Sequence, residues 1–141
     1  MSETARARSG LVAIDHRTAL VAAGDLLLLA GLLIVGVIQH GTDPLADPLA
    51  TAETMAPFVL AWLPVAALAG LYAADAFASP GRAIRLVTVG WLAAANVGLI
   101  LRSSPAFDGG AAWPFNLVIA GLGLVVLVVW RGAVAAVSAR R

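Results

Sequence analysis

The chain is 141 residues long, 61% hydrophobic and only 12% charged, with a mean hydropathy of +0.94, whereas a soluble domain is roughly 45–50% apolar and about 25% charged; a soluble enzyme is excluded. Its 8 acids and 9 bases, all arginine, nearly cancel to a formal charge of +1, so no basic surplus points to nucleic acid. With no cysteine, disulfides, thiolate metal ligands and cysteine nucleophiles are ruled out.

The hydrocarbon core of a bilayer is about 30 Å thick and is crossed by about 20 mostly apolar residues of helix. Four such runs follow one another, over about residues 20–38, 57–74, 84–101 and 113–130. None alternates with the period of two that marks a strand. The prediction is an all-α integral membrane four-helix bundle over residues 18–132, with a cytoplasmic N-terminal segment at 1–17 and a cytoplasmic basic tail at 133–141.

The first run is longer than the apolar segment of a secretory signal peptide, and no small-x-small cleavage pattern follows Ile38. It reads as a retained helix. Within it lies Asp25, seven residues past Thr18 and therefore about 10 Å below the interface. An acid in lipid costs about 2.5–3.5 kcal/mol on insertion scales, so it needs a partner. The candidates are the Trp91 indole and the Asn96 amide on the third span, with Arg85 reaching up from the rim. Either a protonated, hydrogen-bonded carboxyl or a carboxylate paired with an arginine meets the need. After this span, the loop from Gln39 to Ala56 carries Asp43, Asp47 and Glu53 and no base.

Pro57 and Phe58 open the second span as Pro114 and Phe115 open the fourth, and proline suits a first helical turn because its missing N–H would be unpaired there anyway. Helices in lipid associate where small residues let backbones approach. Ala66, Gly70 and Ala74 on the second span and Gly90, Ala94 and Gly98 on the third recur every four residues, which predicts that these two faces meet. The connection through Ser79, Pro80 and Gly81 is a turn signature that makes the pair an antiparallel hairpin. The valine-rich fourth span reads as more lipid-facing.

Arginines orient the bundle, because cytoplasmic loops near helix ends collect bases. With the N-terminus inside, Arg6, Arg8, Arg17, Arg82, Arg85, Arg131, Arg140 and Arg141 are all cytoplasmic and only Arg102 is outside. Asn96 and Asn116 read as interhelical amides, which usually act as structural glue. His40, Arg102, Asp75 and Arg85 read as interfacial anchors. His40 among scattered carboxylates lacks metal-ligand spacing, so no metal and no cofactor is expected, and no phosphate loop or nucleophile elbow is present to suggest catalysis.

Several strings resemble one family when taken in order: Gly24-Asp25-Leu26-Leu27, Gln39-His40, Pro57-Phe58 with Trp62, Trp91-Leu92, Gly98 to Arg102 with Ser104-Pro105 and Gly109-Gly110, Phe115, and Trp130-Arg131-Gly132. This is similar to the small prokaryotic membrane-protein family known as domain of unknown function 3054, over roughly Thr18 to Gly132. The resemblance implies a four-helix membrane protein and no activity, substrate or cofactor. Relatives often carry an acid where this chain has Asn96, so it implies no paired-carboxylate mechanism here.

Two function classes follow. The first is a non-enzymatic membrane bundle whose polar residues clasp its helices, with the bilayer and a membrane protein or a second copy as partners. The alternative is a small oligomeric transporter or channel that uses Asp25 with Asn96 in an intramembrane path.

Overall fold

The computed structural model describes Gly10 and residues 12–110 and 113–141; most of the expected N-terminal segment lies outside them. Four helices follow in chain order, α1 (His16–Gln39), α2 (Pro48–Leu68), α3 (Pro80–Arg102) and α4 (Phe115–Ala139), and each is long and apolar enough to cross a membrane. Among the described residues the only β feature is an isolated bridge between Val12 and Tyr72.

Side-chain caps set three of the helix starts. The Asp15 carboxylate accepts the Thr18 N–H at 2.7 Å, and that bond holds its carboxyl below the usual carboxylate range. Asp47 caps α2 through the Ala50 N–H at 3.0 Å, and Ser79 caps α3 through the Arg82 N–H at 3.2 Å. In α2 and α3 a proline occupies the first turn, where it removes no helical hydrogen bond.

The second helix departs most from expectation. It begins at Pro48 rather than Pro57 and ends at Leu68 rather than Ala74. The Asp47-Pro48 pair is itself a cap followed by a first-turn proline, and it lies ahead of the apolar run, so hydropathy alone places the start too late. At the other end Gly70, with φ +81°, takes the left-handed turn that glycine adopts without steric cost. There the Leu71 N–H bonds Ala66 O at 3.0 Å and the Gly70 N–H bonds Ala67 O at 3.1 Å, the Schellman pattern that stops a helix. Gly70 is therefore a turn residue, and Ala74 is exposed in the connector; neither extends the packing stripe of Ala66. The fourth helix runs on to Ala139, so the expected tail after Gly132 forms its last turns.

The helices form a ring: α2 packs on α3, α3 on α4, and α1 on both α2 and α4, while the backbones of the diagonal pairs α1/α3 and α2/α4 do not come close among the described residues. One end gathers Val21, Ala76, Phe77, Ala83 and Ala135; towards the other, Phe58 and Phe115 meet with ring centroids 6.2 Å apart. The first of these ends joins the starts of α1 and α3, at Val21 and Ala83, to the end of α4 at Ala135, which fits up-down-up-down connectivity.

Glycines receive large side chains rather than other small residues. A Cβ at Gly90 would lie 2.7 Å from Leu71 Cδ1, and one at Gly98 would lie 2.7 Å from Phe58 Cδ1. Ala66 and Ala94 are buried as expected, but the α2–α3 contact is large-into-small, not a meeting of two small faces. Across α3–α4 the Trp91 ring occupies the space a side chain at Gly123 would need. Gly123→Ala should therefore lower stability by about 1–3 kcal/mol through overpacking. Gly121→Ala, where a Cβ meets nothing within 4 Å, should leave it unchanged or slightly raised; denaturant unfolding in detergent checks both.

Candidate functional site

The buried residues of α1 are Val21, Asp25, Leu29, Leu33 and Val37, and those of α4 are Ile119, Gly123, Leu127, Arg131 and Ala135. Both stripes step by four, the spacing that keeps side chains on one helical face, and each contains one charged residue. At 1.5 Å per residue, Asp25 lies about 13 Å from the start of α1 and Arg131 about 12 Å from the end of α4. Antiparallel neighbours therefore bring the two to the same level.

There they form a fully enclosed ion pair, Asp25 with no exposed surface and Arg131 2% exposed. Arg131 Nη2 donates to Asp25 Oδ2 at 2.5 Å and its Nε donates to Oδ1 at 3.0 Å, the two-pronged geometry that suits guanidinium to carboxylate. The Tyr72 hydroxyl donates to Oδ2 at 2.8 Å and the Trp130 indole to Oδ1 at 3.1 Å. The paired, two-pronged Arg131 contact is the geometry of a carboxylate, and Tyr72 and Trp130 add an O–H and an N–H directed at the same two oxygens.

The surrounding atoms complete the set. Arg131 Nη1 donates to the Leu71 carbonyl at 2.8 Å, and Trp62 donates its indole N–H to the Tyr72 oxygen at 3.0 Å. The guanidinium carbon lies 5.1 Å from the Tyr72 ring centroid and 5.2 Å from that of Phe77, within cation–π range. Burial first, and then the nearby Asp25 charge, push the Tyr72 hydroxyl pKa up, which keeps it a donor.

The left-handed turn at Gly70 is what delivers the connector to this cluster: it turns Leu71 into the core against Gly90 and leaves Leu71 O and the Tyr72 hydroxyl facing Arg131 and Asp25. The Ala13 N–H then bonds Tyr72 O at 2.7 Å. On the α1 side, Gly24 leaves room for the Trp130 ring, which a side chain there would strike. One cluster thus ties α1, α2, the connector and α4.

The partners expected for Asp25 are replaced. Asn96 is exposed and its amide donates to Leu92 O of its own helix at 2.7 Å; α3 is diagonal to α1, so it does not reach Asp25. Trp91 donates to Ala120 O of α4 at 2.8 Å, and Arg85 is exposed. Of the two expected states the arginine-paired carboxylate is the one formed, with Arg131 in place of Arg85. Placing Arg131 at a helix end concealed it, although the apolar run Gly132 to Val137 beyond it and its place four residues after Leu127 both put it inside a helix. For Tyr72 no helical spacing gives a signal, because it lies past a turn.

The remaining candidates are dispersed. His40 is exposed just past α1, and Asp43 accepts the Leu45 N–H at 2.9 Å. Arg102 lies over the Phe115 ring, 4.8 Å from its centroid, against Gly109; its Nε and Asn116 Oδ1 are buried without a hydrogen-bond partner among the described residues. Asp75 pairs with Arg82 at 2.7 Å on the surface, which closes the connector. No group of three metal-ligating side chains occurs among the described residues.

The model of a family described as "Protein of unknown function (DUF3054)" matches residues 22–134, a stretch that includes Asp25, Tyr72, Trp130 and Arg131. No curated protein and no solved structure matches the chain.

Arg131→Met would leave the carboxylate buried and uncompensated, at about 3–5 kcal/mol. Asp25→Leu combined with Arg131→Met should recover most of that loss. Tyr72→Phe strands the Trp62 donor and should cost about 1–3 kcal/mol. Unfolding in detergent measures all three, and a double variant no more stable than Arg131→Met alone would contradict the pairing.

Proposed function

This chain belongs to the DUF3054 family, and we propose that it serves as a non-catalytic scaffold in the membrane, a helical bundle that presents a fixed outer surface to a membrane partner or to further copies of itself. The observation that carries this reading is the state of Asp25, the one buried acid among the described residues. Asp25 is enclosed and its two oxygens are occupied by four donors, an arrangement suited to holding helices together and not to passing a proton or a substrate. A path through Asp25 and Asn96 has no support in the geometry, because Asn96 lies on the outside of the bundle.

Both termini are cytoplasmic in this reading. Its support is the arginine distribution, since Arg17, Arg82, Arg85, Arg140 and Arg141 all flank the end of the bundle that carries the Asp25 cluster, and Arg102 alone flanks the other.

In sealed liposomes carrying a pH-sensitive dye, the wild-type chain and Asp25→Asn should both match protein-free vesicles; a flux that depends on Asp25 would overturn the scaffold reading. For orientation, the chain offers a cysteine-free background. A cysteine at Ala46 should react with an impermeant thiol reagent in intact cells and one at Ala78 should not, both positions being exposed. The reverse pattern inverts the topology.

A further inference from the structure

The α1–α4 contact is open near the cluster end, where a groove of about 490 Å³ runs between the two helices, within the span of about 300–1,000 Å³ typical of ligand sites. Its lining is graded along the membrane normal. Leu20, Val134 and Val137 form apolar walls, Trp130 lies deepest along α4, and Arg17 and Arg141 stand at the mouth. Arg17 is held in place: its Nη2 donates to Ser138 Oγ across the mouth at 2.6 Å, and its guanidinium carbon lies 4.8 Å from the Phe77 ring centroid. It makes no ion pair at salt-bridge distance among the described residues, and the neighbouring Asp15 carboxylate caps Thr18. An arginine has five N–H donors, and most of those of Arg17 remain available.

We propose that this groove binds one anionic phospholipid, with its phosphate between Arg17 and Arg141 and an acyl chain along Leu20, Val134 and Val137. Two features together select that occupant. The cations at the mouth demand an anion, and the apolar walls at bilayer depth demand a hydrocarbon chain, which a free phosphate lacks. Basic pockets between transmembrane helices hold lipid headgroups in this way. A second copy of the chain fits less well. Related by a twofold axis along the membrane normal, it would bring its own Arg17 and Arg141 to the same depth, cation against cation. The inference goes beyond the scaffold reading and needs only that the helices span a bilayer, whichever way round they lie.

The test uses the full chain in nanodiscs of equimolar phosphatidylglycerol and phosphatidylcholine, with retained lipid read by native mass spectrometry. The expected result is one retained phosphatidylglycerol, preferred over phosphatidylcholine by on the order of tenfold. Arg17→Gln with Arg141→Gln should abolish the preference. Arg141→Gln alone, whose side chain is exposed at the chain end, should weaken it without disturbing the fold, and Val137→Trp should reduce retention of either lipid by filling the groove. Equal retention of the two lipids by the wild type overturns the proposal, as does a preference that survives loss of both arginines. Displacement of the lipid by inorganic phosphate would make it a free-anion site, and a dimer that buries this groove would make it a protein interface; either result also overturns it.

Discussion

A carboxylate and a guanidinium removed from water each lose several kcal/mol of solvation even after the surroundings relax, and lipid supplies nothing to replace it. Asp25 and Arg131 are tolerable inside this bundle because each satisfies the other, with Tyr72, Trp130 and the Leu71 carbonyl meeting the remaining hydrogen-bonding groups. The same requirement restricts the fold. A shift of α4 by one residue along its axis moves Arg131 by about 1.5 Å and rotates it by roughly 100° away from Asp25, so the pair fixes both the level and the rotation of α4 against α1. Leucine and valine contacts alone would penalise such a slip far less, since lipid tails are as apolar as the side chains they replace.

The rest of the architecture serves that constraint. α1 and α4 meet through the ion pair and through the Trp130 ring seated at Gly24, and the wider α2–α3 and α3–α4 contacts supply more of the packing. Trp62 and Trp91 link the two regions: their rings lie 6.0 Å apart, with Trp62 bonded to Tyr72 and Trp91 to the α4 backbone. Glycine is used where a ring or a leucine must come close to a neighbouring helix, at Gly24, Gly90, Gly98 and Gly123. At Gly70 its use is different, since there the left-handed backbone decides where Leu71 and Tyr72 go.

The two ends of the bundle carry different chemistry. The cluster end brings together Asp25, Arg131, the arginine-flanked groove and most of the surface bases, whereas the opposite end has Arg102 resting on Phe115 and the acidic α1–α2 loop. This polarity is what membrane insertion and lipid contact can read, and it places the bound charge pair and the proposed lipid on the same side.

Hydropathy in the sequence determined the number of helices and their approximate places, because about 20 apolar residues in a row have few alternatives to a membrane span. It also marked Asp25 as needing a partner, since the cost of an acid in lipid is local and can be priced from one residue. Caps such as Asp47-Pro48 and the stop at Gly70 were present in the sequence too, but they lie where hydropathy does not point, and the second helix was misplaced for that reason. Which partner Asp25 takes was decided only by the tertiary structure. Asn96, Trp91 and Arg85 lay at plausible depth, and depth is a one-dimensional property; the ring order that makes α3 diagonal to α1 is not. Arg131 and Tyr72 reach the carboxylate because α4 closes the ring beside α1 and a left-handed turn folds the connector inward, and contacts between residues so far apart in the chain leave no spacing in the sequence from which they could be read.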